Sequence, residues 1–307
     1  MIVRVHGGHY FVLDQGREVD CTMRGRMKKE RLDTKIIAIG DVVLWTPAEE
    51  GTGIIEEVLP RRTVLSRQAP PPRPRRFSRG YTPPEQQTEQ VLMANPDQVM
   101  VVFSLANPFP NPLMLDRYLV ACEAVGLPVI MVANKVDLVE DAEELEIIAL
   151  YQGIGYTVIP TSTQTGEGLE ALHGLLRGRL SVLTGPSGVG KSSLLNALWP
   201  ELDLETGEVS EFTDKGTHTT VVARLLTPEP DTYVADTPGL RQFRLWDIEP
   251  EQLDAFFPEF APYLTKCQFA PCTHTHEPGC AVRTAAELGE IPAVRYESYC
   301  RMFDYGF

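Results

Sequence analysis

The chain has 307 residues, of which 43% are hydrophobic, and it carries a formal net charge of −14 at pH 7. That length suits two or three domains, each large enough to bury its own core. No apolar run approaches the roughly 20 residues that a membrane helix needs, and the start MIVRVHGGHY lacks the segments of a signal peptide. These features argue against a membrane or secreted protein, and we expect a cytoplasmic one.

Residues 1–65 contain short segments rich in β-branched and aromatic residues, bounded by glycine, proline or aspartate. They are HYFVLD, EVDCTMRG, DVVLWTP and GTGIIEEVLP. Such segments are typical of β-strands. Four or five strands in this length predict a small barrel such as an OB-fold, a frequent binder of oligonucleotides. We assign this domain to residues 1–68.

Positive charge is concentrated at the end of this region. Residues 1–90 carry 15 Lys and Arg against 12 Asp and Glu, a balance of about +3, which leaves about −17 for the rest. A stretch without acids contains Arg61, Arg62, Arg67, Arg73, Arg75, Arg76 and Arg79. A solvated loop would have this composition, but clustered arginine beside an acidic protein also fits a contact with nucleic acid. Because proline is dense here, we expect a linker over residues 69–90.

From residue 97 onwards, apolar strand patterns alternate with helical patterns. The strand segments are DQVMVVFSL, LPVIMVANKVD, YTVIPTS and LSVLTGPSG, and the helical segments between and after them are LMLDRYLVACEAVG, AEELEIIALYQGIG, GLEALHGLLRG and KSSLLNALW. This alternation predicts a parallel sheet with helices on both faces, which we assign to residues 91–246.

The segment GPSGVGKS matches the phosphate-binding loop G-x-x-x-x-G-K-[ST] between a strand and a helix. Its glycines let backbone N–H groups surround phosphate oxygens, and the helix N-terminus adds positive partial charge. Lys191 is expected to reach the β and γ phosphates, and Ser192 to bind Mg²⁺. A chance glycine-rich turn is the alternative. The predicted nucleotide contacts are Gly185, Pro186, Ser187, Gly188, Val189, Gly190, Lys191, Ser192 and Ser193.

Two further segments are candidates for reading the base. NKVD follows the strand LPVIMVA, and its Asp137 can accept two hydrogen bonds from guanine N1–H and the exocyclic amine, a donor pair that adenine lacks. Asn134 would steady the site and Lys135 would pack its stem over the base, unless NKVD is only a solvated helix start. Ser162 and Thr163, in TSTQTGEG, would place a backbone amide near guanine O6.

The remaining GTPase elements follow the phosphate-binding loop. In DTPG, Asp236 can hold Mg²⁺ through water and the Gly239 amide can contact the γ-phosphate. Within KGTHTTVV, Thr220 is the first candidate for the switch threonine and Thr219 the second.

The residue after DTPG is Leu240, where many GTPases place a glutamine that orients the attacking water. His218 is therefore a candidate for that role, since a neutral imidazole can accept a proton or orient water. The alternative is a histidine that caps or packs the switch loop. We predict Lys191, Thr220 and His218 as the catalytic set.

Residues 247–307 are helix-prone pieces around a cluster of cysteines. The pattern Cys267-x₄-Cys272-x-His274-x₅-Cys280 offers three thiolates and one imidazole, which suits a tetrahedral structural Zn²⁺. In a cytoplasmic chain, clustered cysteines favour a metal over disulfides. From the residues alone His276 competes with His274, and free buried cysteines are the alternative to a metal.

The GTPase elements occur in the order base reader, base loop, phosphate loop, switch I and switch II, which is a circular permutation. With GDVVLW, GIIEEVLPR, GPSGVGKSSLLN, DTPGLRQF and the cysteine cluster, the whole chain resembles the circularly permuted, small-ribosomal-subunit-dependent GTPases of the RsgA (YjeQ) family. The resemblance implies an N-terminal OB-fold barrel, a central permuted α/β P-loop GTPase domain and a C-terminal helical zinc-binding module.

The same resemblance implies an activity and partners. The expected protein hydrolyses GTP with Mg²⁺, acts in late maturation of the small (30S) ribosomal subunit, contacts its 16S rRNA, is stimulated by the subunit, and is a monomer. It also favours His274 as the fourth ligand of one structural Zn²⁺. Thr163 departs from the alanine common in the family, but the contact expected there comes from the backbone.

Two other functions compete with this interpretation. A non-catalytic RNA-binding module could use GTP only as a structural ligand, and it would show no ribosome-stimulated release of phosphate. A conventional signalling GTPase is disfavoured by the permutation and by the arginine-rich segment.

Overall fold

The computed structural model describes residues 1–24, 37–68, 89–205, 224–236 and 248–306. The chain divides into two compact units, Met1–Pro96 with Val222–Leu225 and Asp97–Val221 with Leu226–Phe307. Within the described ranges, no helix has the length and apolar character needed to cross a membrane.

The first unit contains a small β-barrel made of β1 (Ile2–His6), β2 (His9–Asp14), β3 (Arg17–Met23), β4 (Val43–Pro47) and β5 (Gly53–Val58). The strand order is β1-β2-β3-β5-β4, with β3 parallel to β5. The Ile2 N–H donates to the Asp41 carbonyl at 2.8 Å, which joins β1 to the segment before β4. Alternating apolar side chains, such as Val12 and Ile55, fill the interior. The predicted β-rich N-terminal domain is confirmed.

A two-stranded ribbon follows the barrel. It consists of β6 (Val64–Gln68) and β7 (Glu89–Ala94), which are antiparallel. The ribbon is fastened to the barrel, because the Ala94 N–H donates to the Ile39 carbonyl at 2.8 Å. Proline density in the sequence predicted only a linker here. The ribbon was missed because its strands are distant in sequence and lie at the ends of the proline-rich segment.

Arg61 is engaged within the first unit. Its Nε donates to Asp41 Oδ1 at 2.7 Å, and its Nη2 donates to Asp41 Oδ2 at 2.8 Å. Asp41 is fully buried and also accepts from the Ala38 N–H. Arg61 is therefore a structural partner of Asp41, although it stands at the start of the arginine run. Arg73, Arg75, Arg76 and Arg79 lie outside the described residues.

The second unit is built on a six-stranded sheet. Its strands are β8 (Gln98–Ser104), β9 (Val129–Asn134), β10 (Thr157–Thr161), β11 (Leu180–Thr184), β12 (Leu225–Glu229) and β13 (Thr232–Asp236). They are arranged in the order β10-β9-β8-β11-β13-β12. The pairs from β10 to β13 are parallel. Every residue of β8 is buried, as a central strand of a parallel sheet requires.

In the described part of this unit, four helices accompany the sheet: α1 (Pro112–Ala124), α2 (Glu146–Ile154), α3 (Leu169–Leu176) and α4 (Lys191–Leu198). Leu172 of α3 and Leu194 of α4 pack with Met100 of β8 and Val132 of β9 in one apolar layer. α1 packs against β8, but its buried residues do not belong to that layer. This arrangement confirms the predicted α/β fold.

The C-terminal module contains short 3₁₀ turns at Pro250–Phe256, Pro258–Phe260 and Leu264–Lys266 and two helices, α5 (Ala281–Glu287) and α6 (Ala293–Tyr305). Its core includes Phe260 and Tyr299, together with Val120 of α1. The apolar core of the module therefore includes a residue of α1, a helix that packs on the six-stranded sheet.

A buried ion cluster joins the module to the α/β part. Arg295 of α6 is fully buried, and its guanidinium donates to Asp116 of α1 and to Glu259, both at 2.6 Å. The Tyr151 hydroxyl of α2 donates to the same Asp116 oxygen at 2.8 Å. A buried arginine is tolerated only when it is paired and hydrogen-bonded in this way. The cluster thus connects α1, α2 and α6 through one guanidinium, and its members are far apart in sequence.

Candidate nucleotide site and metal centre

The phosphate-binding loop joins the end of β11 to the start of α4, as predicted. Its glycines are required by close contacts: a Cβ on Gly185, whose φ is +138°, would lie 2.0 Å from the Val102 carbonyl oxygen. A Cβ on Gly190, with φ +93°, would lie 2.4 Å from Asn134 Nδ2. Only glycine fits both the left-handed backbone and these approaches. The loop is therefore pressed against β8 and against the NKVD segment.

The side chains of the loop are disposed for binding an anion. The Lys191 ammonium donates to the Gly185 carbonyl at 2.9 Å and to the Pro186 carbonyl at 2.7 Å, so it lies across its own loop. Ser192 and Ser193 are half-buried in the first turn of α4. Backbone N–H groups at a helix start attract phosphate.

Asn134 connects the candidate base reader to the phosphate-binding loop. It ends β9 and is 1% exposed. Its Nδ2 donates to the Val189 carbonyl at 2.8 Å, and its Oδ1 accepts from Thr161 Oγ1 at 3.2 Å. One amide therefore ties together the carboxyl ends of β9 and β10 and the loop after β11. Parallel α/β sheets bind ligands at this edge.

The two charged residues of NKVD differ in their surroundings. The Lys135 ammonium donates to the Gly188 carbonyl at 2.7 Å and to the Asn107 carbonyl. Asp137 is exposed and lies in a short 3₁₀ turn, Val136–Leu138. Lys135 is held beside the phosphate-binding loop, while the Asp137 carboxylate is open to a ligand.

In the predicted base loop, hydrogen bonds distinguish the two candidate donors, the backbone amides of Ser162 and Thr163. The Ser162 N–H donates to the Glu167 carbonyl at 3.1 Å, and Ser162 Oγ accepts from the amides of Gln164 and Thr165, both at 3.1 Å. Ser162 is therefore occupied in closing its own loop. Among the described residues the Thr163 amide has no such partner, which favours it as the donor to guanine O6.

Of the predicted switch residues, only Asp236 lies within the described part of the chain. Asp236 ends β13 and pairs with Leu183 of β11, so its backbone lies beside the entrance of the phosphate-binding loop. His218, Thr219, Thr220 and Gly239 lie outside the described residues.

The four predicted metal ligands meet in the C-terminal module. One ligand atom from each of Cys267, Cys272, His274 and Cys280 lies within 4.8 Å of the others. His274 Nδ1 is 3.5 Å from Cys267 Sγ and 3.4 Å from Cys280 Sγ. These separations match the edge of about 3.5 Å in a tetrahedron whose metal–sulfur and metal–nitrogen bonds are about 2.3 and 2.0 Å. The cluster can therefore hold a metal ion, and His276, which is exposed and bonded to Thr275, lies outside it.

Backbone N–H groups donate to the sulfur atoms of Cys267 and Cys280. The Ala281 N–H donates to Cys267 Sγ at 3.4 Å, and the Arg283 N–H donates to Cys280 Sγ at 3.4 Å. Burial raises the pKa of the Cys267 thiol, but the N–H donors of Ala281 and Val282, together with Cys272 and His274, outweigh burial, and its pKa lies below the ordinary value. Such donors stabilise the thiolate, which is the form that binds metal.

Asp254 contacts the candidate metal centre and was not predicted from the sequence. Its Oδ2 lies 3.2 Å from His274 Nε2, the ring nitrogen that faces away from the cysteines. A carboxylate in this place fixes the imidazole tautomer, so that Nδ1 is the nitrogen presented to the metal. A lone aspartate 20 positions upstream of His274 gave no spacing signal.

Together, the sheet order and the site define a class: a P-loop GTPase whose base-reading strand precedes its phosphate-binding loop in the chain. The chain belongs to the RsgA GTPase family, whose profile matches residues 72–246, and the RsgA N-terminal domain profile matches residues 1–55. It is therefore a GTP-hydrolysing enzyme by family.

Relatives support this over nearly the whole chain. The small ribosomal subunit biogenesis GTPase RsgA of Gemmatimonas aurantiaca is 45% identical, over 99% of this chain and 96% of that protein. The protein of the same name from Moorella thermoacetica is 41% identical, over 97% and 93%. The crystal structure of YjeQ from Thermotoga maritima matches with a TM-score of 0.78 at 36% identity, covering 99% and 96% of the two chains. YloQ, a circularly permuted GTPase, matches with a TM-score of 0.72 at 29% identity, covering 99% and 93%.

Proposed function

We propose that this chain hydrolyses GTP to GDP and phosphate during late maturation of the small (30S) ribosomal subunit, and that the subunit stimulates it. The observation that carries the proposal is the bond from Asn134 Nδ2 to the Val189 carbonyl at 2.8 Å. It supports a single site that reads the base and holds the phosphates. The biological setting follows from the names of the full-length relatives.

Within this site each residue has a proposed role. Asp137 accepts the two guanine donors, Lys135 lies over the base, and the Thr163 amide donates to O6. Lys191 neutralises charge on the β and γ phosphates, while Ser192 and Thr220 would ligate Mg²⁺, with Thr219 as the alternative and Asp236 acting through water. The bound ion would stabilise the charge that develops on the phosphates. The Gly239 amide would contact the γ-phosphate.

Water positioning falls to His218 in this proposal, because Leu240 offers no hydrogen-bonding side chain. His218→Ala should leave GTP binding near normal and lower stimulated hydrolysis by roughly 10²-fold or more, the usual scale for a positioned general base. Full stimulated turnover in this variant would remove His218 from the mechanism.

The proposal also covers the metal and the partners. The four-ligand cluster fits Zn²⁺ with no open position, so the ion is structural. The arginine run would contact 16S rRNA, and the protein would act as a cytoplasmic monomer.

Phosphate release from GTP, measured with and without purified small subunits, tests the function. We expect slow turnover alone and marked acceleration by small subunits but not by large ones. Lys191→Ala is the control for contaminating GTPases and should abolish both rates. Equal rates with and without small subunits would overturn the proposal and favour a binding module.

A further inference from the structure

The loop between β8 and α1, residues 105–111, lies beside the base-reading segment. The Leu105 N–H donates to the Asn134 carbonyl at 3.1 Å. Further along, the Asn107 carbonyl accepts from the Lys135 ammonium. The loop is thus bonded to two consecutive residues of NKVD, although no nucleotide-binding pattern marked it in the sequence.

Lys135 is held from two sides. Its ammonium donates to the Gly188 carbonyl of the phosphate-binding loop at 2.7 Å and to the Asn107 carbonyl of the β8–α1 loop. An ammonium has three donors, and two are occupied by main-chain oxygens of different segments. A lysine stem is otherwise flexible, so these two acceptors decide where the stem lies.

The backbone conformation of Asn107 directs its carbonyl oxygen towards the Lys135 ammonium. Its φ is +48°, in the left-handed region, which asparagine tolerates far better than β-branched residues do. The loop is fixed on the far side of this residue, because Ser104 Oγ, which is buried, donates to the Pro108 carbonyl at 2.6 Å. Pro108 also lies close to the phosphate-binding loop, with Cδ 3.7 Å from the position of a Cβ on Gly188.

We propose that Asn107 is a positioning residue for nucleotide binding: through its main-chain carbonyl it holds the Lys135 stem in place for the guanine ring. The inference rests on the proposed function, since it assumes that Lys135 lies over the base. The β8–α1 loop then forms a third wall of the base site, beside NKVD and the phosphate-binding loop.

A double-mutant cycle between Asn107 and Lys135 tests this, with GDP affinity measured by isothermal titration calorimetry. Asn107→Val disfavours the left-handed conformation and should weaken GDP binding by about tenfold, the scale of removing one charge-assisted hydrogen bond. In a Lys135→Ala background the same substitution should have almost no further effect. Asn107→Gly, which adopts positive φ freely, should restore wild-type affinity.

Two further variants keep the test decisive. Asp231→Val imposes the same strain, since φ of Asp231 is +58°, at the amino end of β13 away from the nucleotide, and it should not change GDP affinity. Ser104→Ala loosens the loop without backbone strain. Its effect on GDP affinity should also disappear when Lys135 is alanine. Equal losses in both backgrounds would overturn the inference while leaving the proposed function intact. Failure of the wild-type protein to bind GDP would overturn the proposed function itself.

Discussion

Asn134 shows how one side chain makes a permuted site possible. Its side-chain amide, which is 1% exposed, donates to the phosphate-binding loop at Val189 and accepts from Thr161 of β10. The bond to Val189 depends on the fold and not on which partner comes first in the chain. Reordering the chain therefore leaves the contact between base reader and phosphate loop unchanged.

At the residue scale, Asp254 gives a prediction for the metal centre. Asp254→Ala should weaken zinc binding by about 10–100-fold, the usual cost of losing a carboxylate that orients a ligating histidine. The measurement is competition for zinc with a coloured chelator. Glu251→Ala, an exposed acid in the same 3₁₀ turn, is the matched control and should bind zinc normally. Equal affinities for the two variants would remove Asp254 from the site.

At the element scale, α1 links the nucleotide domain to the C-terminal module. Asn111, the last residue of the loop that contacts Lys135, caps the N-terminus of α1 by accepting from the Met114 N–H at 3.2 Å. One turn further on, Asp116 accepts a hydrogen bond from the Arg295 guanidinium of α6. The helix therefore contacts the module with its middle and begins at the nucleotide site.

Arg295 carries the prediction at this scale. Arg295→Met leaves Asp116 and Glu259 buried without their partner, and it should lower the free energy of unfolding by about 3–5 kcal/mol. Arg301→Met on the same helix removes an exposed pair with Glu297, and it should cost no more than about 1 kcal/mol. Denaturant unfolding of both variants checks this. Similar losses would show that the buried cluster contributes little.

The elements differ in how far the sequence predicts them. The strands and helices of the α/β part follow from local apolar periodicity, and GPSGVGKS and NKVD follow from short fixed spacings. The β6–β7 ribbon, the Arg295 cluster and the Asn107 contact join residues distant in sequence. No local pattern encodes such pairs, so they become visible only in three dimensions.

At the scale of the whole molecule, charge is divided between a mildly basic first part and a strongly acidic remainder. Among the described residues of the first unit, Arg4 and Arg224 pair with Glu18, and Arg61 pairs with Asp41. The proposed contact with rRNA is assigned to arginines of the run beyond Arg61.

Substitution of that run tests the proposed RNA contact. Arg73→Glu with Arg75→Glu should weaken binding to small subunits and lower the salt dependence of the binding constant. The logarithmic slope should fall by about 0.7–0.9 for each phosphate group that the variant no longer neutralises. Arg177→Glu with Arg301→Glu gives the same net charge at exposed sites elsewhere and should have a smaller effect. Identical behaviour of the two double variants would place the RNA-binding surface elsewhere.

The central claim is that NKVD and the phosphate-binding loop form one guanine-reading site, and Asp137→Asn tests it most directly. Competition of GTP, XTP and ATP for bound GDP should show strong preference for GTP in the wild-type protein. The variant should lose GTP affinity by a factor corresponding to about 1.5–3 kcal/mol. It should also gain affinity for XTP, whose carbonyl replaces the guanine amine and accepts from the asparagine amide. An unchanged preference for GTP in Asp137→Asn would contradict the account.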